Sequence, residues 1–250
     1  MGNGKLTSKA YWENYYKISH AKKDHIIQVC SYYNNFWDVL FDENSKDKSF
    51  IEIGGFPGRY LAYVSSEYGV KPICLDYNTD SSQIEASFKV MNINNYEIIQ
   101  EDFLRYKPKK LYDFVFSNGF IEHFEDYKEI MDLHLAYLKP GGKLIMMIPN
   151  KRYFRKIYGY LCDYKNLKAH NLQCMNLSVF KKFAQRNHLK IRLLQYYGGF
   201  PFSVHQELNL LQKVVYKLVR GFSKKIINPI LMKHPSKYLS ASIIAIFEKK

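Results

Sequence analysis

The residues best placed to do chemistry begin in the run Phe50–Tyr60, F-I-E-I-G-G-F-P-G-R-Y. An apolar strand there ends in glycines that open a helix. Glycines at such a junction leave room for a ligand close to the backbone, and the helix start aims unpaired N–H groups at it. Pro57 suits a first turn, where its missing donor is no loss. Glu52 stands just before the first glycine, and no G-x-G-x-x-G is present, so a dinucleotide oxidoreductase fits poorly. A second chemical cluster is S-N-G-F-I-E-H-F, Ser117–Phe124, in which His123 is the side chain best matched to moving a proton near neutral pH. Cys30, Cys74, Cys162 and Cys174 show neither C-x-x-C pairing nor zinc-like spacing with histidine.

These residues need a scaffold, and the apolar pattern supplies one. Strand-like runs at Ser49–Ile53, Pro72–Asp76, Tyr96–Gln100, Asp113–Ser117, Leu144–Ile148, Lys190–Tyr197 and Ser242–Phe247 alternate with longer stretches. Helices are expected at Arg59–Tyr68, Ser81–Val90, Tyr127–Leu138 and Leu177–Asn187, and a helical stripe runs through His25–Leu40. Such alternation predicts an α/β fold, a mostly parallel sheet covered by helices on both faces. Residues 150–175 and 200–235 fall outside the alternation and are read as lid or substrate segments of a single domain, 1–250. Residues 1–45 are expected to form an N-terminal helical cap. Within 200–235, Leu208, Leu211, Val214, Val215, Leu218, Val219 and Phe222 make one face of an amphipathic helix whose apolar side is expected to dock on the sheet.

Taken in order, E-I-G-G-F-P-G, C-L-D-Y, E-D-F, D-F-V-F-S-N-G-F-I-E-H-F and L-K-P-G-G-K-L resemble a class I S-adenosylmethionine-dependent methyltransferase of the small-molecule type, over about Tyr11 to Phe200. The resemblance implies a Rossmann-like, doubly wound, seven-stranded sheet with an antiparallel edge hairpin. It implies that Gly54, Gly55 and Gly58 approach the methionine moiety and that Glu52 orders the loop and its amino group. It places Asp76 on both ribose hydroxyls, a task suited to a carboxylate that accepts two bonds at once. Tyr77 lies against adenine, and Asp102, Phe103 and Glu101 border it. Ser117, Asn118 and Gly119 stand beside the transferring methyl group. Tyr11, Trp12, Tyr15 and Tyr16 resemble an aromatic helix that closes over the site. Phe56 departs from the pattern, since the middle glycine of E-x-G-x-G-x-G would fall there.

Methyl transfer would leave a proton to remove from the acceptor's oxygen or nitrogen, and His123, with Glu122 beside it, is the expected base. His170 and His205 are further histidines within reach of a substrate. The run S-N-G-F is unlike the Asp/Asn-Pro-Pro-aromatic run of amino-methylating DNA enzymes, and no cysteine stands there for cytosine-C5 chemistry. No metal is expected.

Charge narrows the acceptor. Of 37 Lys and Arg and 23 Asp and Glu, residues 1–150 hold 17 basic and 20 acidic side chains, whereas residues 151–250 hold 20 basic and 3 acidic ones. A basic excess confined to the substrate segments points to an anionic small molecule, free or linked to phosphate or lipid. RNA bound through the same face is a second reading, and a non-catalytic membrane- or partner-binding protein retaining the fold is a third. An anionic membrane surface is a further candidate contact. The start M-G-N-G-K-L lacks a signal peptide's apolar run and the Ser or Thr of a myristoylation signal, so a cytoplasmic location is expected.

Overall fold

The computed structural model describes residues 4–8, 11–12 and 21–250. Seven strands form one sheet: β1 Ser49–Ile53, β2 Lys71–Asp76, β3 Glu97–Gln100, β4 Tyr112–Asn118, β5 Leu138–Pro149, β6 Lys190–Tyr197 and β7 Ser242–Glu248. Their order across the sheet is β3-β2-β1-β4-β5-β7-β6. β1 to β5 pair in parallel, and β7 runs antiparallel to both β5 and β6. This is the doubly wound sheet with an edge hairpin that the sequence predicts. The winding reverses between β1 and β4, which opens a crevice at their carboxyl ends.

The inner strands β1, β2, β4, β5 and β7 read as near-continuous apolar runs because both their faces are largely covered, whereas the edge strands β3 and β6 stay partly exposed. Side-chain alternation then sorts them. Ile51, Ile53, Val115, Leu144, Met146 and Phe247 face one core with α5 (Tyr127–His134) and α8 (Leu177–Arg186). Phe50, Phe114, Phe116, Ile145 and Ile246 face the other, with α1 (Lys23–Cys30), α2 (Asn34–Leu40), α3 (Arg59–Tyr68) and α4 (Ser82–Val90). All four cysteines are buried free thiols.

Three expected elements differ in detail. The stripe over His25–Leu40 is two helices, broken by a 3-10 turn at Ser31–Tyr33, and the indole Nε1 of Trp37 donates to the Cys30 carbonyl left over at the break. The Tyr127–Leu138 helix ends at His134, because one tighter turn, Leu135–Tyr137, redirects the chain into β5. L-K-P-G-G does not stand outside the strand expected at Leu144–Ile148. It is drawn into β5 as an irregularity opposite Tyr112–Phe114, where Gly141 takes φ +72°.

The remaining helices are α6 (Tyr153–Cys162), α7 (Tyr164–Lys168), α9 (Leu210–Phe222) and α10 (Asn228–Lys233), the last two joined by a π-type turn. The apolar face expected to dock on the sheet is divided. Leu208, Val215 and Val219 pack with Tyr158, Phe200 and Leu231 in a small third core, while Leu211, Val214, Leu218 and Phe222 are exposed. The helix docks on α6 and the Phe200 segment rather than on the sheet.

Candidate functional site

A cavity of about 290 Å³ opens at the carboxyl ends of β1, β2, β3 and β4. Its walls include Gly54, Asp76, Tyr77, Asp102, Phe103, Asn118 and His123, all expected from the sequence, together with Glu101 and Gly119. Trp12 closes it from the N-terminal segment. Tyr11 meets the edge of Trp12, with ring centroids 5.1 Å apart, but is not a wall residue. Tyr15 and Tyr16 lie outside the described residues.

The glycine loop is shaped mainly by its own packing. Gly54 takes φ +69°, and a Cβ there would lie 2.5 Å from the Phe120 ring. Gly58 caps α3 at φ +83°, against Ile84. Those two positions carry the loop's left-handed backbone, so Phe56 needs none, and its side chain is buried in the second core. Gly55 is small for another reason: a Cβ would meet Cys74 Sγ at 2.8 Å. Neither Gly55 nor Gly58 lines the cavity. Glu52 does not line it either, because the pleat turns it with Phe50 toward α3. There burial holds its carboxyl well above the usual range, against the opposing pull of Arg59, and Oε2 has no partner.

Asp76 is fixed by the loop it faces. Its Oδ2 accepts from the Phe56 amide at 3.2 Å and its Oδ1 from the Asn78 amide at 2.8 Å. Burial raises this carboxyl, and the two amides only partly offset it. Asp102 behaves oppositely: burial would raise it, but the Lys5 ammonium, donating at 2.8 Å, and the Leu104 amide hold it low. Ser117 points to the other face of β4 with Val115. Its hydroxyl lies 3.0 Å from His134 Nε2, and His134 Nδ1–H donates to the Ile130 carbonyl at 2.7 Å. Ser117 therefore tethers α5 and is absent from the cavity wall.

Sequence reasoning missed Lys5, Thr7 and Phe120. The first two reach the cavity because residues 4–6 pair with the segment after β4: the Leu6 amide donates to the His123 carbonyl and the Glu125 amide to the Gly4 carbonyl. No local pattern marks such a distant contact. Phe120 sat within the quoted run, and its apparent signal was only core-like hydrophobicity.

His123 is the one cavity-lining histidine among the described residues. Its Nδ1–H donates to the Ala169 carbonyl at 2.8 Å, which sets the tautomer and leaves the Nε2 lone pair open. Burial lowers its pKa to about 4, so it is neutral near pH 7. The Trp12 ring meets it edge-on at 4.8 Å. Glu122 sits behind, fully buried with neither carboxylate oxygen partnered, its Oε1 3.9 Å from His123 Nε2. Burial raises this acid to about 8. His170 joins the group, its ring centroid 4.6 Å from that of His123 and its Nδ1–H on the Asn166 carbonyl. His205 lies further out, with Nδ1 3.1 Å from Asp163. Buried Lys151 acts electrostatically on Glu122, His123 and His170, and desolvation brings its own pKa down to about 7.

Glu122, His123 and His170 also place one possible ligand atom each within 4.8 Å of the others, a donor set that could hold a divalent ion. The Lys151 charge opposes a cation at that point.

A crevice at the switch point, an acid ending β2 and a glycine loop held to it are shared by many α/β proteins. The chain matches the methyltransferase-domain family across residues 25–206. It belongs to that family. The chain is 29% identical over 108 residues to a malonyl-[acyl-carrier protein] O-methyltransferase of Ilyobacter polytropus, covering 42% of this chain and 41% of that relative's length. It thus spans about two-fifths of the curated relative. Its fold resembles a SAM-dependent methyltransferase from Archaeoglobus fulgidus (TM-score 0.56, 14% identity, 97% of this chain and 100% of that one). It also resembles coclaurine N-methyltransferase bound to N-methylheliamine and SAH (TM-score 0.58, 11% identity, 100% and 77%). S-adenosylmethionine is the cofactor of this enzyme class. The cavity's chemistry fits it: carboxylates at Asp76 and Asp102 to accept hydrogen bonds, with Tyr77 and Phe103 as aromatic walls.

Proposed function

We propose that the methyltransferase passes a methyl group to an oxygen or nitrogen atom of a small, anionic acceptor, and that His123 receives the acceptor's proton. The observation that carries this reading is His123 on the cavity wall with Asn118 and Gly119, its Nδ1–H held by the Ala169 carbonyl and its Nε2 without a hydrogen bond among the described residues. When bound, S-adenosylmethionine supplies an electrophilic methyl group on its sulfonium. Asp76 would accept from the ribose hydroxyls, Tyr77 and Phe103 would flank the adenine, and Asp102 or Glu101 would take its amino edge. Gly54 and Asn118 would border the methionine end. Trp12, stacked edge-on against His123, would exclude water from that end. As the acceptor's X–H bond breaks, its proton passes to Nε2, and the Ala169 carbonyl keeps the ring oriented for it. Glu122 Oε1, 3.9 Å from Nε2, would face the imidazolium as a carboxyl oxygen able to accept from it.

The anionic acceptor rests on two buried cations on the same side. Lys151 acts on the His123 cluster and on Arg155, which pairs with Asp163; neither cation lines the cavity itself, so their effect on an acceptor would be through the field. The Ilyobacter relative is named for a malonyl acceptor on a carrier protein, which supports an anionic acceptor, although a carboxylate oxygen would bring no proton for His123 to take.

The test is methyl transfer measured by demethylated-cofactor release over paired carboxylate, phosphate and neutral acceptors. Anionic members should be preferred, and His123→Ala should lower turnover about 10²-fold or more while leaving cofactor affinity, by calorimetry, near wild type. Full turnover in that variant removes His123 from the mechanism. Failure to bind S-adenosylmethionine at high micromolar concentration would favour the non-catalytic reading.

A further inference from the structure

We propose that the outer face formed by α6, α9 and α10 seats on an anionic lipid bilayer. The row Leu211, Val214, Leu218, Phe222, Ile226 and Ile230 runs along one side of the continuous helical segment from α9 into α10, and none of it joins a core. Leu211 is 80% exposed and Leu218 69%. The neighbouring row, Val215, Val219 and Ile227, is the one that the fold uses. On α6, Phe154, Ile157 and Leu161 add a second exposed row at helical spacing. Isolated exposed apolar residues are ordinary, but two adjacent rows of this kind mark an interaction surface.

The charges around the rows select the occupant. Lys213, Lys217, Arg220, Lys224 and Lys225 are exposed between and beside the apolar residues of α9 and the π-type turn. Acidic side chains in residues 151–250 are three: Asp163 is buried, Glu248 pairs with Arg192 on the sheet edge, and Glu207 alone stands near this face. A second copy of the chain would press lysines against lysines. RNA would neutralise the cations but leave leucine, isoleucine and phenylalanine in water. A bilayer with anionic headgroups takes both, apolar rows in the acyl boundary and ammonium groups among the phosphates. No helix among the described residues is long and apolar enough to cross a membrane, so the contact is a surface one.

The face is also joined to the candidate site. α6 and α7 lead directly into Ala169–Asn171, whose carbonyl and amide hold His123 and the Glu122 backbone. Seated helices would thereby bear on the backbone that positions His123.

The test is flotation of the full chain with vesicles of phosphatidylcholine alone or with about 30% phosphatidylglycerol. Wild type should bind the anionic vesicles at least about tenfold better, and raised salt should weaken that binding. Leu211→Asp with Leu218→Asp should abolish binding, and Lys213→Glu with Lys217→Glu should abolish the anionic preference. Neither pair touches a core, and unchanged circular dichroism and S-adenosylmethionine affinity would show the fold and the cofactor site intact, separating this test from the catalytic one. Three results overturn the proposal: no binding to anionic vesicles, a dimer that Leu218→Asp dissociates, or RNA binding that the leucine variants leave untouched while vesicles fail to compete.

Discussion

Glu122→Gln offers a direct probe of the buried acid behind His123. Burial lifts this carboxyl from 4.5 to about 8 in the folded chain, and neither oxygen has a partner. In the unfolded chain the acid ionises near its ordinary value, so between those two pH values the folded state binds the extra proton. Stability contributed by this group is therefore fully present below about pH 4.5 and is lost as pH rises through about 8. Each pH unit of the gap is worth about 1.4 kcal/mol, which sets a ceiling of about 5 kcal/mol, and solvent reaching the ionised group reduces it to about 3 kcal/mol. Glutamine has nearly the same shape and stays neutral. Its stability should match wild type within about 1 kcal/mol near pH 5 and exceed it by about 3 to 5 kcal/mol near pH 9. His123, pushed down to about 4, His170, also pushed down, and Lys151, pushed down to about 7, face the same acid and titrate too. They are present in both proteins, so most of their contribution cancels in the difference. Urea unfolding of both proteins across this range measures it. A difference that does not change with pH would refute the buried, unpartnered carboxyl.

Asp76→Ala removes an acceptor that also holds the Phe56 and Asn78 amides, so cofactor affinity by calorimetry should fall at least about tenfold. Gly54→Ala sets a methyl group against the Phe120 ring at a left-handed position and should lower stability by about 1–3 kcal/mol, read by thermal unfolding, with a matching loss of cofactor binding. Chelation with EDTA should leave turnover unchanged, because proton transfer to His123 requires no ion. Turnover lost on chelation and restored by Zn²⁺ or Mn²⁺ would recast Glu122, His123 and His170 as ligands.

Much of this molecule is written in local pattern. Apolar runs of strand length, glycines at φ above zero and acids at strand ends follow from short-range sterics and hydrogen bonding, which is why β1 and α3 match their predicted bounds. For the same reason Asp76, Tyr77, Asp102 and Phe103 lie where a parallel sheet delivers its loop residues. Parity along a strand is different. Glu52 and Ser117 flank the correct loops, yet the pleat turns one toward α3 and the other toward His134, and nothing nearby in the chain says which face is which. Contacts between distant segments are hidden likewise: Lys5 reaches Asp102 across 97 residues, and Ala169 sets the tautomer of His123 across 46. The division of α9 into a packed row and an exposed one belongs to the same class. An amphipathic pattern specifies that a helix has apolar sides, but which of them is buried depends on the surfaces left open once the sheet is covered. Composition and spacing thus establish the elements and the order of the cofactor loops, through forces that act over a few residues. The orientation of the candidate base, its buried acid and the uncovered helical face arise from packing between elements far apart in the chain.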